Sequence, residues 1–510
     1  MKKVFIITFL FISTIVLSQA QYSIEKKASR VRLSGETMFM DGESNIGMVG
    51  IGYDIFGLIK KHPSAYFGIN SYSAMTGERA GVFSFGIASG IKKKLFKNLF
   101  YDFGIYLGGG GGGGAPDGGG LIVRPHFELE QKISNLVSLK AGIAKIDFPT
   151  GTISSTHFSY GLTFNGNSYM ASKRKIKSNH TFSSIKSGKF RISLVGTVYN
   201  NFYGDLVEKG NKIYVSGTPV KLMGIQFDKY LSRNFYASLE FNGAFSGGVD
   251  GYMSYFLGGG MTLPIIKNKV FFDLRLLAGP SGGGGVATGG GASFQAEAGL
   301  GVDLFKNFQL KFLAGKTYAP NDTFEVSHFD IVVGKTFEVF NGIQNESIDN
   351  FEIETDDFNL SGLSLTTFNR TYFPPYILDK KGNEYDRYFN LIGFEMAKKL
   401  NKKLSLVGST IWAYQGSYGA YGEGWLGLMM HHEINEDWDV NLKAMTGAGG
   451  GGDISLGGGL LFQYTVGIEK VLSNRFSLIG NFGRFEPLKG NFKPIIADIG
   501  LKFQLGQLSR

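Results

Sequence analysis

Gly111-Gly-Gly-Gly-Ala-Pro-Asp-Gly-Gly-Gly120 is one line of a text written three times. It returns as Gly282-Gly-Gly-Gly-Val-Ala-Thr-Gly-Gly-Gly291 and as Gly449-Gly-Gly-Gly-Asp-Ile-Ser-Leu-Gly-Gly-Gly459. The copies start 171 and 167 residues apart, and each follows an aromatic-Asp pair: Tyr101-Asp102, Phe272-Asp273, Trp438-Asp439. A glycine run with fixed neighbours at a fixed period is an internal repeat, and a repeat sets architecture before single residues are read.

Other segments keep the same step. Gly50 to Phe56, Gly224 to Tyr230 and Leu391 to Ala397 align, placing Asp54, Asp228 and Glu395 in register. Each copy ends in a similar strand, at Phe164, Phe337 and Phe503. The chain therefore divides into a leader (1–20), a first repeat (21–164), a basic linker (165–189), a second repeat (190–340), an acidic linker (341–357) and a third repeat (358–510).

The leader has the form of a secretory signal: Lys2-Lys3, an apolar stretch from Val4 to Leu17, then Ser18-Gln19-Ala20 before the cut. The chain has no cysteine, which removes disulfides and thiolate metal sites. No cofactor or metal is expected. Glycine supplies 75 of 510 residues, about twice its usual share. The net charge of +10 would suit nucleic acid in a cytoplasmic protein. In an exported one it suits anionic headgroups or lipopolysaccharide phosphates, and no nucleic-acid partner is expected.

The dominant period is two. From Leu99 to Leu107 one face is Leu99, Tyr101, Phe103, Ile105 and Leu107, and the other carries Phe100, Asp102, Gly104 and Tyr106. Such strands, apolar on one face and polar or small on the other, recur about every 20 residues. Tight Lys/Asn/Ser turns alternate with longer, varied loops. That describes an all-β transmembrane antiparallel β-barrel of about 24 strands, built as three eight-strand repeats, with the short turns periplasmic. The inward small residues Gly50, Gly52, Ser84, Gly86 and Ala88 favour one wide barrel, because a small barrel must be filled by side chains. Three small barrels in tandem are the alternative.

Asp498, Gly500, Phe503 and Leu505 in the last long strand resemble the terminal signal of outer-membrane β-barrel proteins, although five residues follow Leu505. With the leader and the strand pattern, the chain resembles a Gram-negative outer-membrane β-barrel protein. The resemblance implies residence in the cell outer membrane, lipid and lipopolysaccharide as surroundings, and recognition of those four residues by the barrel-assembly machinery. Periplasmic or surface proteins are further expected partners.

Two sets of inward carboxylates follow from the alignment. Asp54, Asp228 and Glu395 form one, and Asp102, Asp273 and Asp439 the other. On a shared wall they would line a pore as two threefold rings attracting cations. In three separate barrels each would pair with a nearby Arg or Lys. The glycine hairpins (Gly111 to Gly120, Gly282 to Gly291, Gly449 to Gly459) belong at the outer rim, as flexible flaps or plain turns. Trp412, Tyr414, Tyr418, Tyr421 and Trp425 offer an aromatic platform for a sugar or a surface partner, or an interfacial belt.

The expected function is a channel or export pore, with partner proteins to occlude it. A non-transporting scaffold or adhesion protein acting through its loops is the alternative. A lipid-active hydrolase is a distant third. His157 and His328 occupy similar places in two copies, but the third lacks a histidine there, so they read as wall residues and the protein as a non-enzyme.

Overall fold

A computed structural model describes residues 21–173, 185–203, 205–208, 211–214, 219–267, 269–305, 307–343, 350–354, 358–473 and 475–510. Its strands close into eight-membered antiparallel rings. Barrel 1 runs Gln21–Met38, Ile46–Phe56, Ala65–Thr76, Phe83–Lys94, Leu99–Gly111, Leu121–Lys132, Val137–Asp147 and Ser154–Lys173. Its eighth strand pairs back onto its first, from Tyr22 with Lys173 to Glu36 with Ser159. Barrel 2 runs Ile185–Tyr203, Val220–Tyr230, Phe235–Ser246, Met253–Ile266, Val270–Gly282, Ala292–Asp303, Phe308–Tyr318 and Glu325–Ile343, and closes from Ile185 with Ile343 to Tyr203 with Glu325. Barrel 3 runs Leu363–Phe373, Phe389–Lys399, Leu404–Gln415, Gly422–Glu433, Trp438–Gly450, Leu460–Val471, Phe476–Pro487 and Ile495–Gln504, closed by pairing of its first and eighth strands.

The single wide barrel favoured by the sequence is therefore corrected. The inward glycines do not mark an empty lumen. They make room for a large ring on the next strand: a Cβ at Gly50 would lie 2.6 Å from the Tyr72 ring, and one at Gly86 2.7 Å from Tyr106. A small residue on one strand and a bulky one beside it fill a narrow barrel together.

The outer walls carry the opposite chemistry. Phe103, Ile143, Phe158, Leu276, Phe482 and Ile499 are exposed large apolar side chains on strands whose alternate residues are buried and polar. A water-soluble fold reverses that arrangement, whereas hydrocarbon demands it. Ring closure also pairs the strand edges, which lipid requires.

Both linkers hold strand. The eighth strand of barrel 1 continues through 165–173 and the first of barrel 2 begins at Ile185, so the basic linker is strand at both ends; Arg174, Lys175 and Lys177 lie outside the described residues. Within the acidic linker, Asn350–Glu354 pairs with Gln21–Glu25 of barrel 1 rather than with the basic segment. Gln507–Ser509 pairs with Asn359–Ser361 and touches Val339. These extensions bury Tyr22, Ile24, Ala171, Phe340, Ile353, Phe358 and Leu508 in a cluster of their own.

Candidate functional site

The candidate pore-lining carboxylates lie in three separate interiors, and cations or hydroxyls reach five of the six. Asp54 meets Arg30 and Arg32, both at 2.8 Å. Asp102 meets Arg30 at 2.6 Å and accepts from the Tyr66 hydroxyl at 2.9 Å. Asp228 holds Arg191 at 2.7 Å, and Asp273 takes the Tyr236 hydroxyl at 2.7 Å and Lys311 at 3.3 Å. Glu395 pairs with Lys443 at 2.7 Å, and Asp439 lies 3.5 Å from His431. The expected threefold rings are corrected, because the six groups share no wall. The third copies are also out of register. Asn441 holds the place in its strand that Asp102 and Asp273 hold in theirs, and Glu395 stands two residues nearer the start of its strand than Asp54 or Asp228.

Further pairs fill the remaining space. Arg124 binds Glu36 and Lys140 binds Glu128 in barrel 1; Arg275 clamps Glu240 and Glu297 in barrel 2; Arg370 binds Asp498 in barrel 3. Two acid–histidine groups have donor atoms close enough to hold a metal: Asp102, His126 and Glu128, and Glu297, His328 and Asp330. Asp102, Glu128 and Glu297 are already partnered by Arg30, Lys140 and Arg275, and Asp330 pairs with His328 at 3.0 Å. His157 hydrogen-bonds Glu36 at 3.0 Å and Ser155 at 3.3 Å. The trio is buried, and the Ser155 oxygen accepts the Phe39 N–H at 2.8 Å. It is a packed wall network.

The rim hairpins have a role that sequence reading missed. They clasp the barrels to one another in a cycle. The hairpin of barrel 1 packs on barrel 3: Gly120 places its missing Cβ 2.6 Å from the Ala413 carbonyl oxygen, and the Ala420 N–H donates to Gly110 at 3.3 Å. The hairpin of barrel 2 packs on barrel 1: Gly291 is 2.6 Å, measured the same way, from the Ala74 oxygen, and the Ala80 N–H donates to Gly289 at 3.2 Å. The hairpin of barrel 3 packs on barrel 2, with Gly459 at 2.9 Å from the Ala244 oxygen. Side chains follow: Phe83 meets Tyr255 at 4.9 Å, Phe85 meets Phe394 at 5.0 Å, and Lys380 binds Asp250 at 2.6 Å.

Backbone lies against backbone at these contacts, which favours glycine at most of them. At Gly81 a Cβ would stand 2.5 Å from the Gly283 nitrogen, and its φ of 88° belongs to glycine besides. The flexible-flap reading is corrected: the hairpins are packed. The third starts one residue later than the sequence alignment put it, because its strand ends at Gly450 as the others end at Gly111 and Gly282. Asp453 then takes the left-handed turn that Gly114 and Gly285 take, with φ 58°. The receiving loops repeat as well, with Gly77, Gly247 and Gly416 in corresponding places. That spacing was a sequence signal for the clasp.

The aromatic platform is interior. Tyr418, Tyr421 and Trp425 belong to the core of barrel 3 beside Phe389, Phe485 and Phe492. Tyr372, Tyr421 and Trp425 all donate to Glu423. Trp412 is buried at the clasp with barrel 1, and Tyr414 donates to Asn369 at 2.7 Å. Trp412, Tyr418, Tyr421 and Trp425 are buried and Tyr414 is half-buried, so the five rings form no open platform for a sugar and that expectation is corrected. In the final long strand Asp498 binds Arg370 inside the barrel, a Cβ at Gly500 would run into Phe368, and Phe503 packs on Phe476 at 5.1 Å. The Leu505 N–H donates to Leu363 at 2.8 Å.

No family model and no curated protein sequence matches the chain. Among solved structures it is similar to the siderophore receptor PirA from Acinetobacter baumannii, at 10% identity over 94% of this chain and 80% of that one, with a TM-score of 0.27. The ferric enterobactin receptor PfeA from Pseudomonas aeruginosa aligns at 9% identity over 94% of this chain and 80% of that one, TM-score 0.25. OccAB4 from A. baumannii aligns at 9% over 95% and 98%, TM-score 0.22. Those likenesses are remote. The chain's own closed rings, exposed apolar walls and polar interiors make it a membrane-spanning β-barrel protein.

Proposed function

We propose that the protein is an outer-membrane scaffold: three filled barrels, one per repeat, clasped at their rims and acting through their surfaces. The observation that carries this reading is the set of ion pairs crossing each interior, with Arg30, Arg275 and Arg370 each holding two or more acceptors. Any part in transport then belongs to what the scaffold holds rather than to a lumen of its own. The extensions around Phe340, Ile353 and Leu508 give periplasmic partners a place to meet it. The four residues Asp498, Gly500, Phe503 and Leu505 serve the assembly machinery during insertion.

Conductance tests the reading. Purified protein in a planar bilayer is expected to give no unitary steps. Reproducible steps altered by Asp102→Asn or Arg30→Met would mean an open interior and end the scaffold reading.

A further inference from the structure

Arginine and lysine do not balance all of the charge inside barrel 2. Barrel 1 sets Arg30, Arg32, Lys92, Arg124 and Lys140 against as many interior carboxylates. Among the described residues of barrel 2, the buried cations are Arg191, Arg275 and Lys311. They face Asp228, Glu240, Asp273, Glu297 and Asp330. Two negative charges are left over in an interior walled off by hydrocarbon, where unbalanced charge is costly. One divalent cation closes that difference.

The geometry gives the ion a place. Glu297, His328 and Asp330 bring their donor atoms within 4.8 Å of one another. Glu297 lies on the sixth strand of barrel 2, His328 and Asp330 on the eighth. All three are buried, at 2%, 3% and 1% exposure. Between them the seventh strand places Gly315, which pairs with Glu297 on one side and His328 on the other. A Cβ at Gly315 would stand 2.8 Å from the Glu297 Cγ and 2.9 Å from the His328 Cε1. The missing side chain is what lets groups from two strands converge.

The donors have capacity to spare. Arg275 takes only the Oε2 of Glu297, and Oε1 is left with the Gln295 amide. Asp330 Oδ1 and His328 Nε2 have no protein partner. His328 Nδ1 and Asp330 Oδ2 lie 3.0 Å apart. That spacing suits two ligands of one ion as well as a hydrogen bond, since each ligand stands about 2.0–2.2 Å from zinc. One imidazole with two carboxylates is a zinc donor set that needs no cysteine.

The set is complete in barrel 2 alone. The same strand places hold His126, His157 and Ser159 in barrel 1, and Thr465, Asp498 and Gly500 in barrel 3. The other acid–histidine group, around His126, belongs to the balanced interior of barrel 1.

We infer that barrel 2 binds one divalent transition-metal ion, zinc by its donor set, through Glu297, His328 and Asp330. The site is structural: it ties the sixth strand to the eighth across Gly315. Arg275 and Gln295 hold Glu297 from outside the ligand shell.

The test is elemental analysis of the full chain, purified in detergent without chelators from cells supplied with zinc. One zinc per chain is expected. Asp330→Asn and His328→Gln are each expected to cut occupancy at least about tenfold, since even outer-shell changes cost that much in affinity. His126→Gln is expected to leave it at one. Heat-modifiable gel mobility reports whether each chain is closed. Gly315→Ala keeps every donor and sets a methyl between Glu297 and His328, at a place where barrel 1 carries Ala144. It is expected to close and to lose zinc, which keeps the test decisive where a ligand variant fails to fold. A closed wild-type chain without zinc overturns the inference, because protons then balance the interior. So does a closed Asp330→Asn or Gly315→Ala chain that carries as much zinc as the wild type.

Discussion

Arg275 and Gly283 belong to one hairpin of the second barrel and are held in opposite ways. Arg275 is fully buried and stays in place because Glu240 and Glu297 both bind it. Gly283 stays in place because Gly81 of another barrel has no side chain, which lets the two main chains meet. Inside a barrel the chain fills space with long charged groups that find partners. At the rim it leaves space empty so that main chains can meet. Ion pairs hold each barrel shut, and glycines hold the barrels together. The two devices should fail independently.

The largest effect is expected at Arg275→Leu. It strands two buried carboxylates, a loss on the order of 3–5 kcal/mol. Denaturant titration of the detergent-solubilised protein should show barrel 2 unfolding early while the clasp between barrels 1 and 3 persists. Simultaneous unfolding of all three barrels would mean the interiors are not independent.

Gly81→Val tests the rim. It forces a branched side chain into a left-handed backbone and against Gly283, at a cost of about 2 kcal/mol. Spin labels on barrels 1 and 2 should report a broader distance distribution, with each barrel still closed. An unchanged distribution would remove the clasp between them.

Ala420→Gly sharpens the comparison in the other direction. Ala420 holds φ 69° where the corresponding Gly81 and Gly251 hold 88° and 95°. Glycine there should stabilise the clasp of barrels 1 and 3 by about 1 kcal/mol, read as a narrower spin-label distance distribution between them.

The smallest effect is expected from pH. Asp117, in the first rim hairpin, accepts the Gly112 N–H at 2.8 Å, and burial pushes its carboxyl up to about 6. A carboxyl raised on packing favours the packed state while it is protonated. The hairpin is therefore tightest below the free aspartate value and loosens as pH rises through about 6. Amide exchange at Gly419, against the Asp117 carboxylate, should quicken over that interval and become flat in Asp117→Asn.

Much of this was legible in the sequence. The repeat and the period of two announced an all-β antiparallel fold, because alternation is written residue by residue, but the short strands Asn350–Glu354, Asn359–Ser361 and Gln507–Ser509 lie outside the eight read per copy. Ring closure was not legible, since Asp54 and Asp102 alternate with apolar neighbours in a wide barrel as in a narrow one. The usable signal was the arginine on the first strand of each copy: Arg30, Arg191 and Arg370. Such a side chain reaches partners across a narrow interior, as Arg370 reaches Gln463 and Arg30 reaches Glu130. The glycine hairpins were found by spelling and misjudged in role. Their receiving residues Ala74, Ala244 and Ala413 stand in the same register, but small residues announce a close approach only once both sides are aligned. The aromatic cluster misled because rings near a barrel mouth fill a cap as readily as they face a ligand.

The most direct test of the account is end-on imaging of single detergent-solubilised particles. It predicts three compact, filled densities joined near one end, at the level of the glycine hairpins. One continuous ring around an open centre would contradict it.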